Sequence, residues 1–163
     1  MRVGTFLVVC VLLFVSCEEK RVAIGGLPFQ ITRGEEWGII GMNGEIKMIN
    51  AFAYRPSAVV NERLSVPNDS GRYELYSFSG ELKSVSPKSF TTIGYFFEEV
   101  TLAQEKKGEP LLVVNKFGEK VAIVDNYQGH EILMAHNFEE GLALVYTNSG
   151  KYGYVDTRGE MVI

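Results

Sequence analysis

Residues 137–163 read NFEEGLALVYTNSGKYGYVDTRGEMVI, and this stretch decides the fold because weaker copies of it lie upstream. Its clearest marker is the pair Gly159-Glu160, and among the earlier Gly-Glu pairs of the 163-residue chain three counterparts keep a near-constant spacing with it. These counterparts are Gly44-Glu45, Gly80-Glu81 and Gly118-Glu119, so successive pairs lie 36, 38 and 41 residues apart. Near-constant spacing of this length is the signature of a protein built from repeated structural units.

Other positions recur in step with the Gly-Glu pair. Seven residues before each of these glycines stands a large apolar or aromatic residue: Trp37, Tyr73, Leu111 and Tyr152. Phe138-Glu139-Glu140 likewise repeats Phe97-Glu98-Glu99 at an interval of 41 residues. We therefore predict one domain over residues 26–163 with about three and a half units. The predicted units cover residues 26–61, 62–98, 99–140 and 141–163.

Each unit has the composition of short β-strands joined by tight turns. Residues 142–146 and 152–155 are rich in β-formers, and the cluster 147–150 between them is rich in turn residues. In the next turn, Asp156 provides a side-chain acceptor and Gly159 permits a positive φ. Apolar residues alternate instead of recurring at the helical period. The sequence predicts an all-β fold of tandem antiparallel β-meander repeats in an open, twisted or solenoid-like stack, with a partial β-propeller-like arrangement as the alternative.

The recurring aromatic and glycine positions are interpreted as packing residues. A glycine that follows an aromatic residue in a strand lets a ring or a neighbouring main chain approach closely, and the aromatic ring can stack on the next unit. Because Leu111 occupies the same position as Trp37, packing is favoured over ligand binding there. The predicted structural positions are Trp37, Gly38, Gly44, Tyr73, Gly80, Gly118, Phe138, Gly141, Tyr152, Gly153 and Gly159.

The N-terminus has the composition of an export signal. Arg2 precedes the largely apolar run 3–15, which is shorter than the ~20 residues that a membrane-spanning helix needs. Residues 14–17, FVSC, resemble a bacterial lipoprotein box, with Phe where such boxes usually carry Leu. The resemblance implies removal of residues 1–16, lipidation of Cys17 and a short tether over residues 17–25. We predict a lipid-anchored protein of the cell envelope, held to the outer membrane through Cys17.

Charge and motif content restrict the function further. Removal of residues 1–16 takes away one charged side chain, Arg2, so 15 basic and 20 acidic side chains leave a net charge of −5. An acidic surface argues against a nucleic-acid partner. His130 and His136 are the only histidines, and no second cysteine remains beside Cys17 to complete a zinc site. The sequence therefore predicts neither a metal nor a cofactor.

Three segments of the last unit are similar to the bacterial WG repeat, which is also called the KWG repeat. These segments are FEEGLALV at 138–145, KYGYVD at 151–156 and RGEMVI at 158–163, and residues 36–49 match the same pattern. The resemblance implies an extracytoplasmic or surface protein of tandem β units, without a general enzymatic activity, that presents an interaction surface. We therefore expect a non-enzymatic protein that binds a protein or glycan partner.

The alternative prediction is an envelope hydrolase or a glycan-active enzyme. It depends on acidic residues that fall outside the repeat pattern, Asp125 and Glu131, forming a site with His130. The Glu-Glu pairs at 98–99 and 139–140 are interpreted as solvated turns instead, because they recur with the repeat.

Overall fold

The computed structural model describes residues 22–163, so the predicted signal peptide and Cys17 lie outside the described residues. Throughout the described part, the regular secondary structure consists of β-strands, and every strand pair is antiparallel. The strands are β1 Ile24–Phe29, β2 Trp37–Ile40, β3 Ile46–Phe52, β4 Val59–Val60, β5 Arg63–Pro67, β6 Tyr73–Phe78, β7 Leu82–Phe90, β8 Thr92–Ile93, β9 Val100–Gln104, β10 Leu111–Asn115, β11 Lys120–Val124, β12 Asn126–Tyr127, β13 His130–Ala135, β14 Leu142–Thr147 and β15 Tyr152–Asp156.

The strands form three sheets, with the orders β3-β2-β1-β4-β5-β6-β7, β11-β10-β9-β8 and β12-β13-β14-β15. Within them, β1–β3, β5–β7 and β9–β11 are successive three-stranded meanders. The last unit repeats the pattern as β14 and β15, followed by an isolated bridge between Val155 and Met161. These pairings confirm the predicted all-β fold of tandem antiparallel meanders.

The longer segments between meanders carry the chain from one unit to the next. Residues 50–61 and 86–96 contain the short strands β4 and β8, which pair with the first strand of the following meander. Residues 124–137 contain two strands, β12 and β13. This hairpin forms because Gln128 and Gly129 both have positive φ, as a two-residue type I′ turn requires.

The first two units share one seven-stranded sheet, which the repeat pattern did not predict. Ile24 and Gly26 of β1 pair with Val60 and Val59 of β4. Asn61 extends this pairing, since its main-chain N–H donates to the Ala23 carbonyl at 2.9 Å and its side-chain oxygen accepts from the Ala23 N–H at 3.0 Å. The first meander is therefore joined to the second by main-chain hydrogen bonds as well as by side chains.

The hydrophobic core is divided into three clusters, each between successive meanders. The first contains Ile39, Phe52, Val59, Leu64 and Phe78; the second contains Leu75, Phe90, Phe96, Ala103 and Val114; the third contains Leu102, Leu111, Val113, Val124, Ile132, Phe138, Ala143, Val145 and Val155. Adjacent residues of β9 belong to different clusters, so that sheet is covered on both faces. Each unit thus contacts mainly its neighbours, as in repeat proteins.

Candidate functional site

The four large residues that stand seven positions before the repeat glycines have different environments. Leu111 is a core residue, and Trp37 is half-buried and packs against the first cluster. Tyr73 is half-buried and lines a pocket. Tyr152 departs from the packing interpretation, because its side chain is 67% exposed. The physical reason is strand alternation: Gly153 and Val155 are buried, so Tyr152 lies on the opposite, solvent-facing side of β15.

The glycines after these aromatic residues lie where a side chain would collide with neighbouring atoms. A Cβ at Gly38 would meet the Met48 carbonyl oxygen and the Phe29 ring. A Cβ at Gly153 would meet the Ile163 carbonyl oxygen, with the Tyr127 ring at 3.1 Å. At both positions a main chain and an aromatic ring occupy the space that the missing side chain leaves.

The glycines of the four Gly-Glu pairs all have positive φ, between 74° and 102°, so each serves a turn. They differ in surroundings. A Cβ at Gly118 would lie 2.5 Å from Ser86 Oγ, and one at Gly159 would lie 2.5 Å from Ala122 Cβ, in each case on the preceding unit. Gly44 and Gly80 have no atom within 4 Å of that position. The last two glycines are therefore also sites of close contact between units.

The Phe-Glu-Glu-Gly stretch forms the entry to β14. Phe138 is fully buried in the third cluster, whereas Glu139 and Glu140 are exposed. Glu140 and Gly141 both have positive φ, and Glu139 and Leu142 exchange two main-chain hydrogen bonds of 2.9 and 3.1 Å around them. This is the geometry of a type I′ turn, which accounts for the glycine after the acids.

The structural counterpart of Phe138 in the preceding unit is Phe96, although the sequence repeat aligns Phe138 with Phe97. Phe96 is 3% exposed and belongs to the second cluster, while Phe97 is only half-buried. The Gly94 N–H donates to the Leu102 carbonyl and the His136 N–H to the Leu144 carbonyl, which sets the interval here at 42 residues (94 to 136, 102 to 144).

The residues of the predicted enzyme alternative lie on or beside the β12–β13 hairpin. Asp125 and Glu131 are exposed, and His130 is half-buried. The Asp125 carboxylate accepts a hydrogen bond of 2.7 Å from the Asn126 amide. Over residues 22–163, the structure contains no group of three or more His, Cys, Asp or Glu side chains that could hold a metal ion.

A concave site lies between the seven-stranded sheet and strand β8 of the next sheet. We call it the junction pocket, and it has a volume of about 420 Å³. Its lining includes Pro28 of β1, Arg55 and Pro56 of the β3–β4 connection, Tyr73 of β6, and Ile93 and Tyr95 at and after β8. The pocket therefore depends on the way the first two units and these two sheets pack.

Arg55 is the one charged residue in the lining that the described residues provide. Its guanidinium carbon lies 5.5 Å from the centroid of the Trp37 ring, in cation–π geometry. Within residues 22–163, Arg55 forms no ion pair with a carboxylate. A chain whose formal net charge is −4 thus has a positively charged pocket.

Two tyrosines provide flat walls of mixed polarity. Tyr73 is half-buried, and Tyr95 is 39% exposed with its ring centroid 5.7 Å from that of Phe97. The main-chain N–H of Tyr95 donates to the Asn137 side-chain oxygen at 2.8 Å, so the segment that carries this ring is tied to the end of the third unit. Arg55 and Tyr95 were not singled out from sequence because both lie outside the repeat pattern. The signal for Arg55 was its place in a proline-containing connection, since such loops often carry function.

A second, more acidic depression lies on the last sheet and has a volume of about 550 Å³. It is lined by His136, Asn137, Glu139, Glu140, Leu142, Leu144 and Tyr154. The His136 ring lies 5.7 Å from that of Tyr146, centroid to centroid. All its lining residues belong to the last sheet and its entry turn, so it does not depend on the packing of several units.

The described part of the chain, residues 22–163, has no helix long and apolar enough to cross a membrane. Comparison of the chain with protein-family models, with curated proteins and with solved structures gave no match.

Proposed function

We propose that this chain is a non-enzymatic WG-repeat lipoprotein of the bacterial cell envelope, anchored to the outer membrane through Cys17, which binds a protein or glycan partner through its repeat surface. The observation that supports binding best is the junction pocket. It combines a concave shape, two tyrosine rings and an arginine that forms no ion pair within the described residues. Concave sites with apolar walls and few polar groups are the usual form of ligand sites.

The repeat architecture supports the same proposal. Nearest-neighbour packing places the stability of the chain in the three core clusters, to which the connection that carries Arg55 contributes Phe52 and Val59. Residues 53–55 of that connection lie outside the clusters and can vary in sequence without loss of core packing. Binding residues are often found on such connections, held in place by a rigid scaffold.

Capture of partners from detergent-solubilised envelopes tests the binding function. The full chain is used as bait beside a variant with Arg55→Ala and Tyr95→Ala. The matched control variant carries Arg33→Ala and Tyr152→Ala, which remove the same chemical groups from exposed positions outside the junction pocket. We expect the full chain and the control to recover the same partner and the pocket variant to lose it. Recovery of nothing above background in several growth conditions would contradict the proposal.

Mass spectrometry of the mature N-terminus tests the anchor. We expect Cys17 as the first residue, with the added mass of a diacylglyceryl group, and loss of membrane association in Cys17→Ser. An unmodified Cys17 in the mature protein would refute the proposed localisation.

A further inference from the structure

The junction pocket carries a more specific inference about its ligand, which rests on the proposed binding function. We propose that the pocket is a subsite for one carboxylated sugar residue, a uronic acid of an acidic glycan, whose carboxylate pairs with Arg55. The inference follows from the charge of the pocket, the orientation of its arginine and the nature of its walls.

Arg55 is placed for bidentate recognition of a carboxylate. The Trp37 ring lies within cation–π distance of the guanidinium, at 5.5 Å from ring centroid to guanidinium carbon. Within residues 22–163 no carboxylate pairs with this guanidinium, and its N–H donors match the two oxygens of a carboxylate. Contact with Trp37 also limits the conformations of the long side chain, so less entropy is lost when a ligand binds.

The charge of the site favours a monoanion. Arg55 provides one positive charge, and the rest of the lining within residues 22–163 is uncharged. One carboxylate neutralises this charge, whereas a phosphate monoester would bring a second negative charge without a partner. The acidic net charge of the chain opposes ligands with several anionic groups.

The walls suit a sugar ring. Tyr73 and Tyr95 line the pocket with aromatic rings that carry hydroxyl groups, which suit the apolar C–H face and the hydroxyl groups of a pyranose, and Pro28 and Pro56 add rigid apolar surface. A volume of about 420 Å³ is in the range of small-molecule sites.

An extended peptide fits this pocket less well. The lining strands β1, β5 and β6 are interior strands of the seven-stranded sheet, so each is paired on both sides. A peptide that binds as an added strand needs an unpaired strand edge. The lining strand β8 is the edge of its sheet but is only two residues long, so recognition here depends mainly on side chains, as it does for a sugar.

The test compares two ligands that differ only at C6 of the sugar: methyl β-glucuronide, which has a carboxylate, and methyl β-glucoside, which has a hydroxymethyl group. Binding to the full chain in detergent is followed by NMR titration. Fluorescence of Trp37, the only tryptophan in the chain, reports whether the ligand reaches the pocket. We expect the glucuronide to bind about tenfold more tightly, as one charge-assisted bidentate contact supplies.

Three variants assign this preference to the arginine. Arg55→Ala should bind the two sugars equally, and Arg55→Lys should keep only part of the preference, because an ammonium lacks the fork of donors. Arg33→Ala, at an exposed arginine outside the lining, should behave as the unmodified chain. Circular dichroism confirms that each variant is folded.

The outcomes separate this inference from the proposed function. Equal binding of the two sugars, or a preference that survives Arg55→Ala, overturns the uronic-acid subsite. Binding of N-acetyl-aspartate amide or AMP through Arg55, with no sugar bound, also overturns it and indicates a peptide or nucleotide ligand. If no sugar binds but the envelope capture still recovers a partner, the subsite is refuted and the binding function stands.

Discussion

Gly159 and Gly44 provide a matched pair that separates backbone strain from packing between units. Their φ angles are nearly identical, 82° and 81°. An alanine methyl group at Gly44 would enter open space, whereas at Gly159 it would lie 2.5 Å from Ala122 Cβ and 3.6 Å from side-chain atoms of Val113 and Val124. Alanine at either position should therefore incur a similar strain penalty, and only Gly159→Ala should also overpack the third core cluster.

The expected magnitudes follow from these two effects. The left-handed conformation costs an alanine about 1–2 kcal/mol, offset by about 0.4–1 kcal/mol because glycine leaves the unfolded chain more flexible. Overpacking adds about 1–3 kcal/mol. In urea denaturation we expect Gly44→Ala to lower the free energy of unfolding by about 1 kcal/mol and Gly159→Ala by about 2–4 kcal/mol.

A double-mutant cycle with Ala122→Gly completes the test, because that change removes the methyl group nearest to the new Cβ. The penalty of Gly159→Ala should fall toward that of Gly44→Ala when Ala122 is glycine. Equal losses at Gly44 and Gly159, or no coupling to Ala122, would refute close packing of the fourth unit on the third.

Three further predictions concern turns and ties between units. Glu62→Gly should stabilise the protein by about 0.5–1 kcal/mol in urea denaturation, because Glu62 has a φ of 61°, whereas Glu36→Gly, at an exposed residue outside the positive-φ set, should not. Asn61→Ala should cost about 2–3 kcal/mol, since its amide donates to the Phe96 and Phe97 carbonyls at 2.8 and 3.1 Å and an alanine is strained at its φ of 46°; Asn43→Ala, which removes one local turn acceptor at a residue outside the positive-φ set, should cost less than half as much by the same assay. The pKa of Asp156 is lowered from its usual value of 3.8 by the main-chain N–H of Glu160 and by Arg158, so its stabilisation is present above pH 3.8 and is lost as pH falls through the lowered pKa. The free energy of unfolding should therefore fall less steeply with decreasing pH in Asp156→Asn than in the unmodified chain. The same pH dependence in both proteins would contradict this assignment.

The meander pattern could be predicted from sequence because its turns require particular residue types at fixed positions. At Asn115 and Asp156 a side-chain oxygen accepts main-chain N–H bonds of 2.9–3.1 Å within the turn, and a glycine three residues later has positive φ. Both requirements restrict the residue type, so they leave a visible repeat. The second unit differs: Phe78 still pairs with Leu82, so its loop starts one residue later than the positions equivalent to Asn115 and Asp156 would place it.

The relation between units could not be predicted in the same way. Pairing of β1 with β4 depends on main-chain groups, which every residue carries, so it leaves little trace in the sequence. The junction pocket is formed by side chains that come together only after the meanders stack, and Tyr95 is 40 residues from Arg55 along the chain (55 to 95). The sequence repeat also misplaces the buried phenylalanine of the second unit by one position, since Phe96 and Phe97 are the same residue type.

The unequal boundaries between the units have a consequence for how such a chain can change in length. Between the first and second meanders, β1 and β4 are hydrogen-bonded to each other, and a cut there would expose main-chain groups as well as the first core cluster. Between β7 and β8 the sheet ends, and the two sides are held mainly by the second cluster. Insertion or deletion of a whole copy at the β7–β8 boundary preserves every ladder of the seven-stranded sheet. We therefore expect a change in copy number to be tolerated on the C-terminal side of the first two meanders and to be costly between them.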